Sequence, residues 1–346
     1  MSQYVGLDVS LKEVSVCVVS DTGEVLSRGV VAADPDEIAG FVARTASDVE
    51  RVVHESGILA IWLTRELEKR GLPIICIDAR LAHKALSGRL NKSDRSDAEG
   101  LAHLARTGWF TQVHIRSEAS EQVRVLIGTR ERLIRMRKDL EAHVRGVLRT
   151  FGIRMEPILR SRLRDNFRDQ LAQAGGDEMA IGLMAEMFNP IHQALCAAVE
   201  AMDDELREIA GGSELARRLM TVPGVGPVVA LAYIATLDDA SRFRRATDVG
   251  AFLGLTPRRH QSGDTDWSGR ISKCGDRDLR RLLYSAATTL ISQVRRFSPL
   301  RSWAVRLSAR KGFKLAAVAT ARKLAVIMHR IWRDGTTFQW TREEHT

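Results

Sequence analysis

Residues 3–32 read QYVGLDVSLKEVSVCVVSDTGEVLSRGVVA and contain the clearest strand pattern of the chain. The β-branched residues of this stretch alternate with polar ones in three runs, and the turn-forming residues DTGE, 21–24, separate the second run from the third. The pattern predicts strands from Gln3 to Val9, from Val14 to Val19 and from Val25 to Ala32. The short turn favours a hairpin, so an antiparallel sheet is expected at the N-terminus.

The residues after this sheet alternate between helical and extended patterns. In chain order we predict a helix opened by Pro35, a strand from Arg51 to His54, a helix from Ile58 to Lys69, a strand from Pro73 to Ile77, and helices from Arg80 to Leu86 and from Asp94 to Arg106. Three antiparallel strands followed by alternating helix and strand form the element order of the ribonuclease-H-like fold. A ribonuclease-H-like (RuvC-like) α/β domain is therefore predicted for residues 1–114.

From Ser117 onward the pattern is that of long helices. Apolar residues recur every seven positions at Leu126, Leu133, Leu140 and Val147, and a second seam contains Leu195, Val199, Met202, Leu206 and Ile209. Such seams pack helix against helix. We interpret residues 115–212 as an antiparallel coiled-coil arm that serves oligomerisation, although a helical bundle inside a monomer has the same pattern.

The last third of the chain is strongly basic. The net charge is +9, and from Arg258 to Arg333 there are 18 Lys and Arg against 4 Asp and Glu. A cationic C-terminal part beside a more acidic N-terminal part suggests that one part holds a polyanion while the other acts on it. A solubilising surface is the alternative explanation.

A glycine-containing turn opens this basic part. The residues VPGVGP, 222–227, precede an apolar helix and resemble the hairpin of a helix-hairpin-helix element. Gly224 and Gly226 would let backbone N–H groups approach a phosphate, with the positive end of the next helix behind them. We predict a mainly helical nucleic-acid-binding domain over residues 213–346.

Four acids in the N-terminal part are candidates for a metal site. Asp8 lies on the first strand and Glu55 ends the fourth, while Asp94 and Asp97 share one face at the start of a helix. If they converge, their like charges require divalent cations, and a pair of Mg²⁺ ions suits attack at phosphorus. Each acid also has a simpler explanation: Asp94 as a helix cap, Asp97 as a partner of the helix dipole, and Glu55 as a solvated strand end.

A serine in the basic part is a second candidate. The segment PRRHQSGDTDWSGRISKCGDRDLRR, residues 257–281, places Ser262 in what we predict to be a flexible polar loop. The surrounding cations, which could stabilise a phosphorane, are Arg258, Arg259, Arg270 and Lys273. Ser262 could attack a phosphodiester if a carboxylate took its proton, or it could simply contact phosphate. Ser268 and Ser272 compete for the same role.

The motifs taken together resemble those of the DEDD transposases of the insertion-sequence-110 type. The matching pieces, spread over about residues 3–335, are GLDVS, HESG, KSDRSDA, PGVGP, GLTPR, QSG and GRISKCGDRDLRR. The resemblance implies a RuvC-like domain, a coiled-coil middle and a C-terminal transposase domain. It also implies that Asp8, Glu55, Asp94 and Asp97 bind Mg²⁺, with Mn²⁺ as a substitute, and that Ser262 is the nucleophile. Cys274 departs from the family, whose members often have a basic residue there.

The same resemblance implies a mechanism and partners. Ser262 would attack the scissile phosphate, form a covalent serine–DNA intermediate and release a 3′ hydroxyl. A structured guide RNA encoded by the element, the bridge RNA, would pair with donor and target DNA. A homo-oligomer, dimer or tetramer, is expected. Since acids and serine fall in different predicted domains, we hypothesise that the site is assembled from two subunits, which mixing Ser262→Ala and Asp8→Ala chains would test.

Three other functions remain open at this stage. A junction-resolving nuclease would use the same acids with water and need no serine. A sugar-kinase or actin-like ATPase would need a second glycine-rich phosphate loop, which we do not find in the sequence. A non-catalytic RNA- or DNA-binding scaffold would cleave nothing.

The remaining features concern the compartment. The four cysteines are widely spaced and form no CxxC pair, which argues against zinc and disulfides. We find neither a signal-peptide pattern nor an apolar run of about 18 residues, so no membrane is expected. The sequence predicts a cytoplasmic bacterial protein that associates with the nucleoid when it acts.

Overall fold

The computed structural model describes residues 1–87, 94–156, 163–175, 178–262 and 265–341. Within these ranges, the side chains of Asp94, Arg95, residues 163–165, His260, Ser262, Thr265 and Ser268 lie outside the description. The chain divides into two compact units, Met1–Arg116 and Ser117–Thr346.

A five-stranded sheet forms the centre of the first unit. Its strands are β1 (Gln3–Val9), β2 (Glu13–Ser20), β3 (Val25–Ala32), β4 (Val49–Glu55) and β5 (Ile74–Ile77), in the spatial order β3-β2-β1-β4-β5. The pairs β1–β2 and β2–β3 are antiparallel, and the pairs β1–β4 and β4–β5 are parallel. The predicted ribonuclease-H-like fold is confirmed.

Four helices cover the two faces of this sheet: α1 (Pro35–Thr45), α2 (Ala60–Lys69), α3 (Ala79–Leu86) and α4 (Asp94–Thr107). Val5 and Leu7 of β1 pack in one core with α1 and α2, whereas Tyr4 packs in the other core with α4. Successive side chains of a strand point to opposite faces. Asp8 therefore belongs to the α4 face of β1, together with Tyr4.

The second unit is mainly helical. Its elements are α5 (Glu118–Thr150), α6 (Leu163–Ala174), α7 (Met179–Gly212), α8 (Glu214–Met220), α9 (Pro227–Leu237), α10 (Ala246–Phe252), β6 (Pro257–Ser262), β7 (Thr265–Ile271), α11 (Arg277–Ser292), α12 (Pro299–Lys311) and α13 (Phe313–Asp334). The 3₁₀ turn Ala240–Arg242 follows α9. Helix α8, the turn at 221–226 and α9 form the predicted helix-hairpin-helix-like element.

The long helices α5 and α7 pack against each other and share a core with the C-terminal helices. Ile127 of α5 and Leu206 of α7 lie in one apolar cluster with Tyr233 of α9, Leu283 of α11 and Leu324 of α13. The middle and C-terminal segments thus form one unit in the structure. The finer division into residues 1–114, 115–212 and 213–346 stays a proposal.

The buried line of α5 differs from the predicted heptad seam. The buried residues are Ile127, Glu131, Glu141, Val144 and Leu148, in addition to Ser120, whereas Leu126, Leu133, Leu140 and Val147 are only partly buried. Helix α5 packs against both α7 and α9, so its buried face does not follow the seam of a two-helix coiled coil. The buried line also contains two carboxylates.

Glu141 is the centre of a polar cluster between α5 and α7. Its Oε1 lies 3.2 Å from Nε2 of the fully buried His192, and Arg137 and Arg145 approach it at 3.4 and 3.6 Å. Burial raises the pKa of the Glu141 carboxyl, but the hydrogen bond to His192 and the two guanidinium charges outweigh that effect. The net result is a pKa below the ordinary 4.5.

This lowered pKa predicts an acid-sensitive helix pair. A carboxyl whose pKa is lower in the folded state contributes stability above its unfolded pKa, and that stability is lost as the pH falls through the folded value. We expect Glu141→Gln to cost about 1–3 kcal/mol at pH 7 and to flatten the decline in stability below about pH 5. Urea unfolding at several pH values measures both effects. The exposed Glu186→Gln is the matched control, and equal pH slopes for wild type and Glu141→Gln would contradict the assignment.

Among the described helices, none combines the length and the apolar composition that a membrane-spanning segment requires.

Candidate active site

Two of the predicted acids meet at one end of the sheet. Strands β1 and β4 are parallel neighbours, with Leu7 paired in register with His54. The next residues, Asp8 and Glu55, therefore emerge side by side at the carboxyl ends of the two strands. Both line a pocket of about 220 Å³, whose other walls come from the loops at 9–11 and 56–60. The predicted convergence of Asp8 and Glu55 is present in the structure.

Helix α4 crosses β1 at Gly6. A Cβ atom at Gly6 would lie closer than 3.0 Å to the carbonyl oxygen of Ala98 and the backbone nitrogen of Ala102. Only glycine allows two backbones to approach so closely. Gly6 was not among the predicted key residues, although a glycine inside a strand pattern is a signal of close backbone contact.

The direction of α4 follows from a second contact. The guanidinium of Arg51 donates to the carbonyl oxygen of Ala105 at 2.9 Å, and Arg51 is paired with Tyr4 near the start of β1. Since the later part of α4 lies over the start of β1 and Ala98 lies over Gly6, the helix runs antiparallel to the strand. Its first turn, with Asp94 and Asp97, therefore points toward the end of the sheet that carries Asp8 and Glu55.

The position of α4 is also fixed from β3. The guanidinium of Arg28 forms an ion pair with Glu99, two residues after Asp97. Asp97 itself is half-buried, whereas the side chain of Asp94 lies outside the described residues. The structure thus places Asp8 and Glu55 in one pocket and brings the backbone of the Asp94–Asp97 turn to the same sheet end. That the four carboxylates together bind divalent ions stays a prediction.

The close crossing at Gly6 gives a testable consequence for stability. Gly6→Ala would force α4 away from β1, because the obstructing atoms are backbone atoms, and we expect a loss of about 3 kcal/mol in the free energy of unfolding. Gly40→Ala, inside α1, is the matched control: its added Cβ meets only the flexible end of Arg44. That change should stabilise the unit by up to about 1 kcal/mol. Urea unfolding that gave both variants wild-type stability would contradict the close packing.

His54 precedes Glu55 on β4 and also lines this pocket. It is fully buried, and its Nε2 is 2.8 Å from the hydroxyl of Thr64. Burial lowers the pKa of His54 to about 4. At neutral pH the imidazole is therefore uncharged, so it does not neutralise the carboxylates of Asp8 and Glu55.

The donor set suits a hard divalent cation. Carboxylate oxygens are the ligands of Mg²⁺ and Mn²⁺, whereas a zinc site would favour Cys and His. Within the described residues no cluster of three or more Asp, Glu, His or Cys has the geometry of a metal site. The Asp94 side chain is not among these described groups. Asp8 and Glu55, both in one pocket, are two hard donors that fit such an ion.

The segment around Ser262 is a hairpin and not the flexible loop predicted from the sequence. Strands β6 and β7 pair antiparallel, with Pro257 opposite Ile271 at the base and Ser262 opposite Thr265 at the tip. Arg259 and Asp266 form a bidentate ion pair across the strands, at 2.9 and 2.6 Å. This polar cross-strand pairing is not visible as hydrophobic alternation, so the loop prediction was wrong. Residues 263–264 and the Ser262 side chain lie outside the description.

The predicted phosphate-binding cations occupy different environments. Arg259 is engaged by Asp266, and Arg258 donates to the carbonyl oxygen of Ser272 at 3.1 Å. Arg270 and Lys273 are exposed, and Lys273 has a positive φ of 58°. Their contacts with nucleic acid remain predictions.

The two glycines of the α8–α9 turn also differ. Gly224 has φ +87°, and a Cβ there would collide with the carbonyl oxygen of Ala286 on α11, so packing alone explains this glycine. Gly226 precedes α9, and an added Cβ would meet no atom of the described chain within 4 Å. Gly226 is thus the better placed of the two for a phosphate, and both assignments remain predictions.

Both units resemble known transposases. A family model described as "Transposase" matches residues 5–153, and a model described as "Transposase IS116/IS110/IS902 family" matches residues 216–300. The transposase for insertion sequence element IS1111A of Coxiella burnetii is 31% identical over 334 residues, covering 94% of this chain and 88% of the relative. This chain belongs to the IS116/IS110/IS902 family of transposases.

Other relatives of the transposase agree. The transposase for insertion sequence element IS1328 of Yersinia enterocolitica is 28% identical over 291 residues, covering 83% of this chain and 85% of the relative. Among solved structures, the RuvC protein of T. thermophilus in complex with a Holliday junction substrate is 17% identical, with a TM-score of 0.25, covering 33% of this chain and all of that one.

Family membership decides between the functions left open by the sequence. The transposase is an enzyme that cleaves and recombines DNA, so the ATPase and the non-catalytic scaffold are excluded. DNA is its substrate, and the acid-bearing ribonuclease-H-like unit implies dependence on a divalent metal ion. The choice of attacking group, serine or water, is a separate question.

Proposed function

We propose that the transposase holds Mg²⁺, or Mn²⁺ in its place, with Asp8, Glu55, Asp94 and Asp97, and cleaves DNA by attack of Ser262 on the scissile phosphate. The observation that supports this most is the meeting of Asp8 and Glu55 in one pocket, with the first turn of α4 directed to the same sheet end. Four carboxylates gathered there without a cation would repel one another strongly.

The roles of the acids follow from their positions. When bound, the divalent ion polarises the phosphate and stabilises charge on the attacking and leaving oxygens. Asp8 and Glu55 are fixed by parallel strands, so they present their oxygens from a rigid edge. Asp94 and Asp97 approach from α4, whose position is set by Gly6 and the Arg28–Glu99 pair. Rigid support of this kind keeps the carboxylate oxygens in the geometry that metal binding and catalysis need.

Ser262 supplies the attacking oxygen. Its Oγ forms a bond to phosphorus, its proton leaves to a base, and the bond from phosphorus to the 3′ oxygen breaks. The products are a 5′-phosphoserine link to the downstream DNA and a free 3′ hydroxyl on the upstream DNA. Reversal of this step by the 3′ hydroxyl of another strand rejoins donor to target without hydrolysis. The location of Ser262 at the tip of the β6–β7 hairpin is compatible with insertion into a DNA groove.

The proposed partners of the transposase are DNA, a guide RNA and further copies of the chain. An element-encoded bridge RNA would pair with donor and target DNA and so choose the sites, while the chain would act as a dimer or tetramer. The cationic surplus of the second unit suits RNA and DNA alike. The alternative, a nuclease that uses the same acids and water, predicts free 5′ phosphates and no covalent product.

The test is cleavage of the element's own termini with co-expressed RNA. The DNA carries its label at the 3′ end of the downstream fragment. We expect this label to migrate with the protein in denaturing gels when Mg²⁺ or Mn²⁺ is present, and not after chelation. The upstream fragment should be extended by a polymerase, since it ends in a 3′ hydroxyl. Cleavage with no labelled protein would favour the water-dependent nuclease.

A further inference from the structure

An open cleft lies in the second unit beside the base of the β6–β7 hairpin. Its volume is about 720 Å³, which is in the range of pockets that enclose small ligands. The floor is apolar and includes Leu255, Ile271, Val318, Ala319 and Val326. Val318, Ala319 and Val326 lie on one face of α13, which the described part of the chain leaves open at this point. We call this feature the cationic cleft because of its rim.

The rim of the cationic cleft has five cationic side chains: Arg270, Lys273, Lys314, Arg322 and Lys323. No acid is among the described residues that line it. Two of the cations are held in place: the stem of Arg322 packs over the Cα of Gly250, and Nζ of Lys323 lies 4.3 Å from the ring centre of Trp303. An apolar floor beneath fixed cations suits a ligand that is anionic at its edge and apolar in its body.

The positive surface continues beyond the cleft. An adjoining pocket of about 290 Å³ shares Leu255, Ile271, Lys273 and Val318 with it and adds Arg277, Arg280 and Arg281, again with no acid in the described lining. Arg280 donates to backbone carbonyl oxygens and Arg281 is ion-paired with Glu131, so the charge of this adjoining pocket is partly compensated. A polyanion that crosses this face would still meet cationic side chains in both pockets.

We propose that the cationic cleft binds the base of an unpaired DNA nucleotide, with the flanking phosphates on its rim. The substrate of the transposase is DNA, and a strand that leaves one duplex to join another exposes bases that have lost their first partner. A nucleobase has apolar faces that gain from burial, whereas the phosphates need cations. Intact duplex DNA keeps its bases stacked inside, so its backbone alone would leave the apolar floor exposed to water.

Binding of a single base in the cleft does not require a series of aromatic side chains for base stacking. The chain has only 5% aromatic residues, which argues against continuous single-strand binding by stacking. One apolar compartment for one base is consistent with that scarcity. Pro257 and Ile271, at the base of the hairpin whose tip carries Ser262, line this compartment. A base held there would fix the DNA relative to the hairpin.

The experiment measures binding by fluorescence anisotropy with the full chain at fixed salt, in chelator, so that no cleavage occurs. Three duplex probes differ at the 3′ end: one unpaired nucleotide, the same position abasic, or blunt. We expect the base-bearing probe to bind about tenfold more tightly than the abasic one. Ala319→Phe, which fills the floor, should abolish that difference, whereas Ala194→Phe, an exposed alanine of α7, should keep it.

Two more variants separate the parts of the cleft. Lys314→Gln should weaken all three probes equally and reduce the slope of log affinity against log salt by about 0.9. Leu315 also lines the cleft, and its side chain is 65% exposed. Leu315→Glu should therefore also remove the preference for the base-bearing probe, without adding volume to the core. If both Ala319→Phe and Leu315→Glu keep the preference for a base, the proposal is wrong.

An RNA outcome would also overturn the proposal. If a single-stranded RNA overhang shows the base preference and the DNA overhang does not, the cleft serves RNA. The proposal rests on DNA as substrate and not on the serine or metal chemistry. Loss of base-specific binding would not contradict the proposed cleavage mechanism. Conversely, an Asp8→Asn chain that does not cleave DNA should still show base-specific binding.

Discussion

Asp8→Asn is expected to reduce DNA strand cleavage by about a thousandfold or more while leaving the first unit folded. The change keeps the size and shape of the side chain but removes the charge that a divalent ion needs. Asp8 is fixed on β1 beside Glu55, so no flexible neighbour can take its place. Loss of one group that stabilises transition-state charge typically costs a hundredfold to a thousandfold, and loss of an ion would cost more.

The matched control is Asp21→Asn. Asp21 is an exposed acid in the turn after β2, at the opposite end of the same sheet, and should have wild-type activity. Glu55→Gln should repeat the loss seen for Asp8→Asn. Full cleavage by either site variant would remove the acids from the chemistry.

A second measurement for Asp8→Asn does not depend on activity. Ligand that binds only the folded state raises the melting temperature. We expect millimolar Mg²⁺ or Mn²⁺ to raise the melting temperature of the wild type and of Asp21→Asn, and to leave that of Asp8→Asn unchanged. In the absence of metal, Asp8→Asn should melt close to the wild type, because the two side chains have the same size and shape.

The sheet and its helices were predictable because their signals are local. The runs around Val5 and Val16, the turn at Gly23 and the proline that opens α1 each determine an element within a few residues. The element order then limited the topology to one known arrangement. The meeting of Asp8 and Glu55 followed from that topology, since adjacent parallel strands end at the same edge.

The contacts that position α4 could not be predicted from the sequence, because the residues that form them are distant in the chain. Gly6 and Ala98 are separated by most of the first unit, and Arg28 and Glu99 are 71 residues apart. No periodicity links such pairs. Their effect is nevertheless direct, because they orient the helix that carries Asp94 and Asp97.

In the second unit one prediction was incomplete and one was wrong. The predicted long helices are present and pack together, but the heptad at Leu126 and Leu133 records an apolar period and not the number of partners, and α5 packs against both α7 and α9. The outer part of the β6–β7 hairpin is exposed and polar, with the Arg259–Asp266 ion pair across its strands, so it has no apolar alternation that a sequence pattern could detect. Hydrophobic pattern alone is a poor guide to such short exposed strands.

Ser262→Ala is expected to abolish the covalent protein–DNA product and strand exchange, a loss of at least about 10⁴-fold, because no other atom replaces an attacking oxygen. Binding of DNA should remain close to that of the wild type, since the change removes one hydroxyl from a unit with a large cationic surplus. Denaturing gels with labelled DNA measure the covalent product, and anisotropy measures binding.

The competing serines provide the controls for this prediction. The backbone of Ser272 is held by two hydrogen bonds. Its N–H donates to the carbonyl oxygen of Thr256 at 2.8 Å, and its carbonyl oxygen accepts from the guanidinium of Arg258. Ser268 pairs with Arg259 within the hairpin, away from the tip. Ser268→Ala and Ser272→Ala should therefore keep the covalent product. If Ser262→Ala still forms the adduct and one of the other two does not, the nucleophile is reassigned; if all three form no adduct but cleave, water is the attacking group and the acids act alone.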